Sequence, residues 1–401
     1  MKILSVTAQK PHSTGSGVFL TELVNGFAGM GIRQAVVCGM APGDDVNFRD
    51  KIRVYPVHFE TAELPFPVTG MSDEMPYPST RYSDLSPTKT GQFRSAFIKQ
   101  VDTAVKEFKP NVILCHHLYF LTALVRFAFP GQKVFGVCHG SDLRQIRKNP
   151  LEREFIRTQI KELDGIFALH QVQKAEIAQV YDVDPGKINV TGIGYNCSIF
   201  FPVGSPIQGP PVQLIFAGKV TEKKGVFSLI RSLELLDDKT DELILKLAGG
   251  SGVPEEYEKI QELAVKCKYP VAFLGRLTQQ ELAAEFNRSH IFILPSFYEG
   301  LPLVTVEAMA CGLQVIMTDL PGISQWLAAE AKGNEVIYVT PPEMNNTDVP
   351  DEESLGQFEK RLAAAIRIAI QRETVSTVDL TGISWKGVCQ KVIEAIERIY
   401  K

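Results

Sequence analysis

Short β-rich runs alternate with helix-length amphipathic stretches along almost the whole chain, and that alternation constrains the fold more than any other feature. KILSVTA, QAVVCG, NVILCHH, KVFGVCHG and DGIFALH carry it through the first half, with a helix expected from Gly17 to Gly31 between the first two. VQLIFAG, ELILKLAGG, PVAFLG, HIFILPS and LQVIMTD restart it after residue 211, each followed by a turn and usually a helix. This rhythm implies parallel strands joined by helical crossovers, so the fold class is α/β. Between the halves, FFPVGSPIQGPP (200–211) is rich in proline and glycine and reads as an interdomain linker.

A chain of 401 residues exceeds what one core usually holds. The expectation is two doubly wound, Rossmann-like domains over residues 1–200 and 212–383, joined by a linker at 201–211, with residues 384–401 crossing back to the first domain. Two such domains would face each other across a cleft, with the ligand crevice at the carboxyl ends of their strands. Residues 56–87 break the alternation with prolines, aromatics and little periodicity. A loop that long is as a rule functional or disordered, so it is read either as an acceptor-binding lid or as a structural excursion.

The net charge of −4 and the lack of a lysine- or arginine-rich run argue against a nucleic-acid partner. MKILSVTAQK runs directly into a strand without a signal-peptide core, and no apolar run reaches membrane-spanning length, so a soluble, cytoplasmic protein is expected. Seven scattered cysteines, Cys38, Cys115, Cys138, Cys197, Cys267, Cys311 and Cys389, never fall in a C-x-x-C spacing and read as reduced thiols. Two decoys need weighing. His116 and His117 sit beside Cys115, but neighbours in a strand point to opposite faces, which disfavours a metal site. Asp182 and Asp184 have a D-x-D spacing, yet YDVDPG is ordinary turn chemistry.

The stretch PSFYEGLPLVTVEAMACG (295–312) puts Glu299 and Glu307 around a tight loop and the start of an apolar helix, with Pro302 near its first turn and Gly312 as its stop. A helix entered this way leaves its first backbone N–H groups without partners at the positive end of its dipole, where a diphosphate fits. Eight residues of helix rise about 12 Å at most. The two carboxylates can therefore grip hydroxyl pairs at either end of a nucleotide sugar. The bland alternative makes Glu307 a solvated helix residue and Glu299 a dipole stabiliser.

Three further segments follow strands. QKPHSTGSGVFLTEL (9–23) puts Gly15, Ser16 and Gly17 at a strand-to-helix turn, where glycines let backbone approach a phosphate or sugar, or simply form a tight turn. FAGKVTEKKGVFSL holds Lys219 and Lys224 around another such turn; two ammonium groups there can neutralise a departing diphosphate, or they are a solvated pair. VCHGSDLR puts His139 at the carboxyl end of a strand, where it contacts a sugar hydroxyl or serves a structural role.

Together these residues resemble the retaining glycosyltransferases of family 4 (group 1), which have the two-domain GT-B fold. The likeness runs over nearly the whole chain, and its most specific part is EGLPLVTVE, which matches the family's E-x7-E pattern, followed by AMACG. The resemblance implies that Glu299 contacts the donor sugar and Glu307 the ribose. Amides near Gly300, Leu301, Leu303 and Val304 would hold the diphosphate, and Gly275, Arg276 and Leu277 would lie beside the base. Gly15, Ser16 and Gly17 match the glycine loop. His139 matches the histidine near the donor sugar, and Lys219 and Lys224 fall where the family has Arg and Lys on the diphosphate. Lys219 departs from the usual Arg, keeping the charge but losing the bidentate fork.

The implied activity is sugar transfer with retention, from a nucleoside-diphosphate sugar, most often a UDP-sugar, without metal or other cofactor. The implied acceptor is a sugar, glycan, small molecule or lipid-linked sugar. The only amphipathic basic candidate, GQFRSAFIKQVDTAVKEFKP, has a modest excess, so a weak peripheral membrane association stays open without support. An epimerase or sugar phosphorylase of the same fold, and a catalytically silent nucleotide-sugar binder, are the rival readings.

Overall fold

A computed structural model of the chain describes residues 1–49, 52–73, 75–204, 209–236, 243–251, 253–346, 349–372 and 378–400. The chain divides into two compact units, Met1–Ile193 with Trp385–Lys401, and Gly194–Ser384. The segment read as a linker belongs to the second unit, and its residues 205–208 lie outside the described residues.

The first unit runs β1 (Lys2–Val6), α1 (Gly15–Gly29), β2 (Arg33–Met40), β3 (Arg53–His58), β4 (Thr69–Gly70), β5 (Thr80–Arg81), α2 (Pro87–Phe108), β6 (Val112–His116), α3 (Phe120–Ala128), β7 (Lys133–Val137), α4 (Ser141–Lys148), α5 (Arg153–Lys161), β8 (Gly165–Ala168), α6 (Gln171–Tyr181) and β9 (Ile188–Val190). Its main sheet is parallel, in the order β3-β2-β1-β6-β7-β8-β9. The order reverses between β1 and β6, the place where such sheets open a crevice at their carboxyl ends. Leu4, Val6, Val37, Ile113, Cys115 and Ile166 are buried along the strands, as expected for a sheet covered on both faces. α2 shows why a helix forms there: the Ser86 side chain accepts from the Lys89 amide, Pro87 opens the first turn, and Phe93, Phe97, Val101 and Ala104 bury one face at helical spacing.

The 56–87 segment differs from the expected long loop. It begins inside β3, contains the short parallel pair of β4 and β5, and sends Phe59, Leu64, Phe66, Val68 and Tyr82 into the core. Its apolar residues fill space without a regular period, which is why no periodicity marks them.

The final helix, α13 (Trp385–Tyr400), packs on α1. A side chain at Gly26 would put its Cβ 2.4 Å from the Cys389 sulfur, so only bare backbone admits the thiol. Beside it, the Trp385 and Phe19 rings meet edge to face at 5.3 Å.

The second unit runs β10 (Val212–Ala217), α7 (Val226–Glu234), β11 (Leu243–Ala248), α8 (Pro254–Lys266), β12 (Val271–Gly275), α9 (Gln279–Phe286), β13 (Ile291–Leu294), α10 (Leu303–Ala310), β14 (Gln314–Thr318), α11 (Ile323–Glu330), β15 (Ile337–Val339) and α12 (Glu352–Gln371). Its sheet is also parallel, in the order β12-β11-β10-β13-β14-β15, with the reversal between β10 and β13. Among the described residues no helix is long and apolar enough to cross a membrane.

Candidate functional site

In the second unit the candidate residues collect on the loops that leave the carboxyl ends of the strands. Lys224 ends a 3-10 turn (Glu222–Lys224) between β10 and α7. Gly225 follows at φ +71°, and a Cβ there would lie 2.1 Å from the Pro295 carbonyl oxygen. Only glycine meets both demands. The loops after β10 and β13 thus run backbone against backbone, stitched by the Phe297 amide donating to the Lys223 carbonyl at 3.1 Å. This approach sets the Lys224 ammonium 2.6 Å from Glu299 Oε1, with the two side chains 25% and 14% exposed.

Beyond Glu299 the chain passes Gly300 and Leu301 into α10, whose N-cap, Pro302, offers no side-chain acceptor. Leu303 and Val304 therefore open the helix with amides that an α-helix start leaves without an intrahelical partner, and both residues are half-buried. Glu307 is buried on the same helix. Ser296 Oγ and Thr305 Oγ1 lie buried close by in sequence, neither with a hydrogen-bond partner.

The neighbouring loops are zipped along the same edge. Gly218 donates its amide to Ala248 at 2.9 Å, Gly249 to Gly275 at 2.7 Å and Val220 to Gly250 at 3.1 Å. These bonds hold the half-buried Lys219, which lies between Gly218 and Val220, beside the loop of Gly275, Arg276 and Leu277. Arg276 extends over Gly250, where a Cβ would come within 3.3 Å of its Nε.

In the first unit, the helix expected from Gly17 to Gly31 runs from Gly15 to Gly29, so Gly15 and Gly17 both lie in the first turn of α1, capped by the Thr14 hydroxyl, which accepts from the Gly17 amide at 3.1 Å. Gly17 has a packing role, since a Cβ would sit 3.0 Å from the Lys10 carbonyl oxygen and 3.1 Å from the His12 nitrogen; Gly15 faces open space. The Ser16 hydroxyl donates to the buried Gln9 side chain at 3.1 Å. Gln9 gave no motif signal.

His139 follows β7 and sits in a cluster that the rule of alternating faces missed. His117 has φ +72°, so the extended backbone ends there and its ring does not point away from that of His116. His116 Nδ1 lies 3.2 Å from His139 Nε2, and the His117 and His139 ring centroids are 4.7 Å apart. The Phe19 ring meets both His116 and His139 edge-on.

Asp142, fully buried at the start of α4, ties these loops together. It accepts from the Leu118 amide at 2.8 Å, the His139 amide at 3.2 Å and the Cys138 thiol at 3.3 Å. Burial raises its pKa, and these donors pull it back. Burial likewise lowers the pKa of His116 and His117 well below the ordinary imidazole value and that of His139 to about 3, so all three are neutral.

The D-x-D pair is a turn. Asp182 caps α6 in the left-handed region at φ +53° and pairs with Lys161, and Asp184 accepts from the Gly186 amide at 2.8 Å. Among the described residues no group of three or more His, Cys, Asp or Glu side chains is arranged to hold a metal ion. All seven cysteines are free.

Comparison with known proteins gives a consistent result. The sequence model of the family described as Glycosyltransferase Family 4 matches residues 13–198, and that of Glycosyl transferases group 1 matches residues 201–345. The α-maltose-1-phosphate synthase of Mycobacterium tuberculosis is 24% identical over 229 residues, 53% of this chain and 56% of that one. The chain thus spans little more than half the length of that relative. Among solved structures, sucrose-phosphate synthase of Thermosynechococcus elongatus superposes with a TM-score of 0.71 at 15% identity over 100% of this chain and 99% of that one. Anabaena HepE in complex with UDP-glucose gives 0.66 at 15% identity over 99% and 100%.

Proposed function

The chain belongs to the family 4 (group 1) glycosyltransferases and has their GT-B fold, and we propose that it moves a sugar from a nucleoside-diphosphate sugar to a hydroxyl acceptor, with retention and without a metal ion. The observation that carries this is the Lys224–Glu299 contact at the strand reversal of the second unit, one loop ahead of the α10 start. Both groups suit the two halves of one ligand: the ammonium a diphosphate, the carboxylate the hydroxyls of a sugar. A uridine nucleotide is favoured because Anabaena HepE, of the same fold, binds UDP-glucose. The free cysteines support a reducing, cytoplasmic setting.

When the bond from the anomeric carbon to the diphosphate oxygen breaks, negative charge grows on the leaving group and positive charge on the sugar. Lys219, Lys224 and the amides of Gly300, Leu301, Leu303 and Val304 would stabilise the first, which is the charge neutralisation that other enzymes obtain from a metal. Glu299 would hold the sugar hydroxyls and Glu307 those of the ribose; Gly275, Arg276 and Leu277 would border the base. His139 would donate to a sugar hydroxyl, with Gly15 and Ser16 at the α1 start available to the substrate. The acceptor hydroxyl attacks from the face the diphosphate leaves, its oxygen bonding to the anomeric carbon while its proton passes to the departing phosphate oxygen.

The test is a thermal-shift and calorimetry panel of nucleoside diphosphates and their sugars, with and without divalent metal. Selective stabilisation by one nucleotide, unchanged by a chelator, is expected. Silence toward every nucleotide would overturn the proposal.

A further inference from the structure

The buried nitrogens of the histidine cluster determine which hydrogen-bonding face His139 presents. His116 Nδ1 and His139 Nε2 are 3.2 Å apart, and with both rings neutral one of them must donate and the other accept. Two arrangements exist. If His139 donates from Nε2, neutral His116 carries its proton on Nε2. If His116 donates from Nδ1, its Nε2 is a bare lone pair. His116 is 3% exposed, and its Nε2 is buried with no hydrogen-bond partner. A buried N–H without an acceptor is rarer in folded proteins than an acceptor without a donor, so the second arrangement is favoured.

His117 follows the same logic. Its Nε2 is also buried and unpartnered, and its Nδ1 lies 3.4 Å from the Ser141 hydroxyl. A proton on Nδ1 shared with that hydroxyl leaves only a lone pair in the dry interior.

We propose that His116 is a positioning residue that donates from Nδ1 to His139 Nε2 and thereby fixes His139 as the tautomer with its proton on Nδ1, a hydrogen-bond donor toward substrate and not a base. The backbone supports the arrangement from the other side: Asp142 accepts the His139 amide at 3.2 Å and the Leu118 amide at 2.8 Å, holding the loops after β6 and β7 in register. The Phe19 ring packs edge-on against both imidazoles, with centroids 6.4 and 5.1 Å away, and adds a shared apolar contact to the pair. The low proton affinity of all three rings is consistent with a fixed neutral tautomer. Sugar binding at His139 rests on the glycosyltransferase reading; the tautomer does not.

Long-range proton–nitrogen correlation spectra of the uniformly labelled full chain, near neutral pH and without substrate, test the tautomer directly, with His139→Gln used only to assign the peaks. His139 is expected to show a protonated Nδ1 and an unprotonated Nε2. Protonated Nε2 in the wild-type chain would overturn the inference. His116→Leu should remove the preference and lower kcat by roughly tenfold, the factor that one ordinary hydrogen bond is worth. His116→Gln, whose amide N–H can still donate, should restore both. If His116→Gln behaves as His116→Leu while folding normally, His116 does not act through this bond. If the tautomer is as expected and no nucleotide sugar is turned over, the glycosyltransferase reading fails and the inference stands.

Discussion

An ammonium and a carboxylate 2.6 Å apart satisfy each other, and a donor that uses both must first separate them. Lys224 and Glu299 are in this position. Bare nucleoside diphosphate needs only the lysine, so the carboxylate competes with it; a sugar nucleotide gives the carboxylate new partners. Glu299→Gln should therefore bind UDP several-fold more tightly, because the loss of one charge-assisted contact to Lys224 corresponds to a gain of roughly tenfold at most. Its rate with sugar nucleotide should nevertheless fall about a hundredfold or more. Lys224→Met should weaken both ligands. Calorimetry and initial rates separate these effects, and weaker UDP binding by Glu299→Gln would mean that the pair persists in the complex. Gly225 is the residue on which this contact depends. Gly225→Ala meets a left-handed backbone and a carbonyl oxygen at 2.1 Å, so it should lose on the order of 2 kcal/mol of stability in denaturant titrations.

The ends of β6 and β7 hold imidazoles whose burial disfavours the charged form, and that gives the first unit a pH dependence with a definite sign. His139 falls to about 3, and His116 and His117 lie well below the usual imidazole value. Unfolded, each titrates near 6.5. Between these limits the unfolded chain takes up protons that the folded chain refuses. The stability is therefore fully present above about 6.5 and is lost as pH falls, by up to about 1.4 kcal/mol per unit for each ring. Asp142 acts in the opposite sense. Its raised pKa gives a contribution that is present below the ordinary carboxylate value and declines as pH rises through its folded value. The urea midpoint should drop between pH 7 and pH 5, and less steeply in His116→Gln; a flat profile would exclude neutral burial of the cluster. Sequence made some of these elements visible and not others. The parallel strands were legible because burial on both faces makes them continuous apolar runs, and the acids of EGLPLVTVE stood out against an apolar helix. The histidine cluster was not, because alternation presumes extended backbone and His117 leaves it at φ +72°. The start of α1 was read two residues late, at Gly17 and not Gly15, since a glycine carries no signal that separates a loop from the first turn of a helix capped by Thr14. Asp142 carried no motif signal in VCHGSDLR, and only the tertiary structure reveals its three donors.

At the scale of the whole molecule the two units differ in how the chain builds them. The second is one continuous stretch, Gly194–Ser384, whereas the first needs both ends of the sequence. α13 brings Trp385, Val388, Cys389, Val392 and Ile396 into the first unit, all buried and spaced as one helix face, against α1 and β8. A buried aliphatic side chain contributes about 1.5–3 kcal/mol, so losing several of them would consume much of the roughly 5–15 kcal/mol that holds a domain folded. A fragment of residues 194–384 should thus unfold cooperatively and bind UDP with an affinity close to that of the full chain, because every side chain assigned to the nucleotide lies within it. A fragment of residues 1–193 should be unfolded or poorly packed by circular dichroism and calorimetry, and a peptide of residues 385–401 added in trans should restore it. If the fragment of residues 1–193 melts as cooperatively and as high as the full chain, α13 is dispensable to the core. If the fragment of residues 194–384 folds but fails to bind a nucleotide that the full chain binds, the donor site needs residues of the first unit, and the assignment of Lys224, Glu299 and Glu307 as the main determinants of nucleotide affinity falls with it.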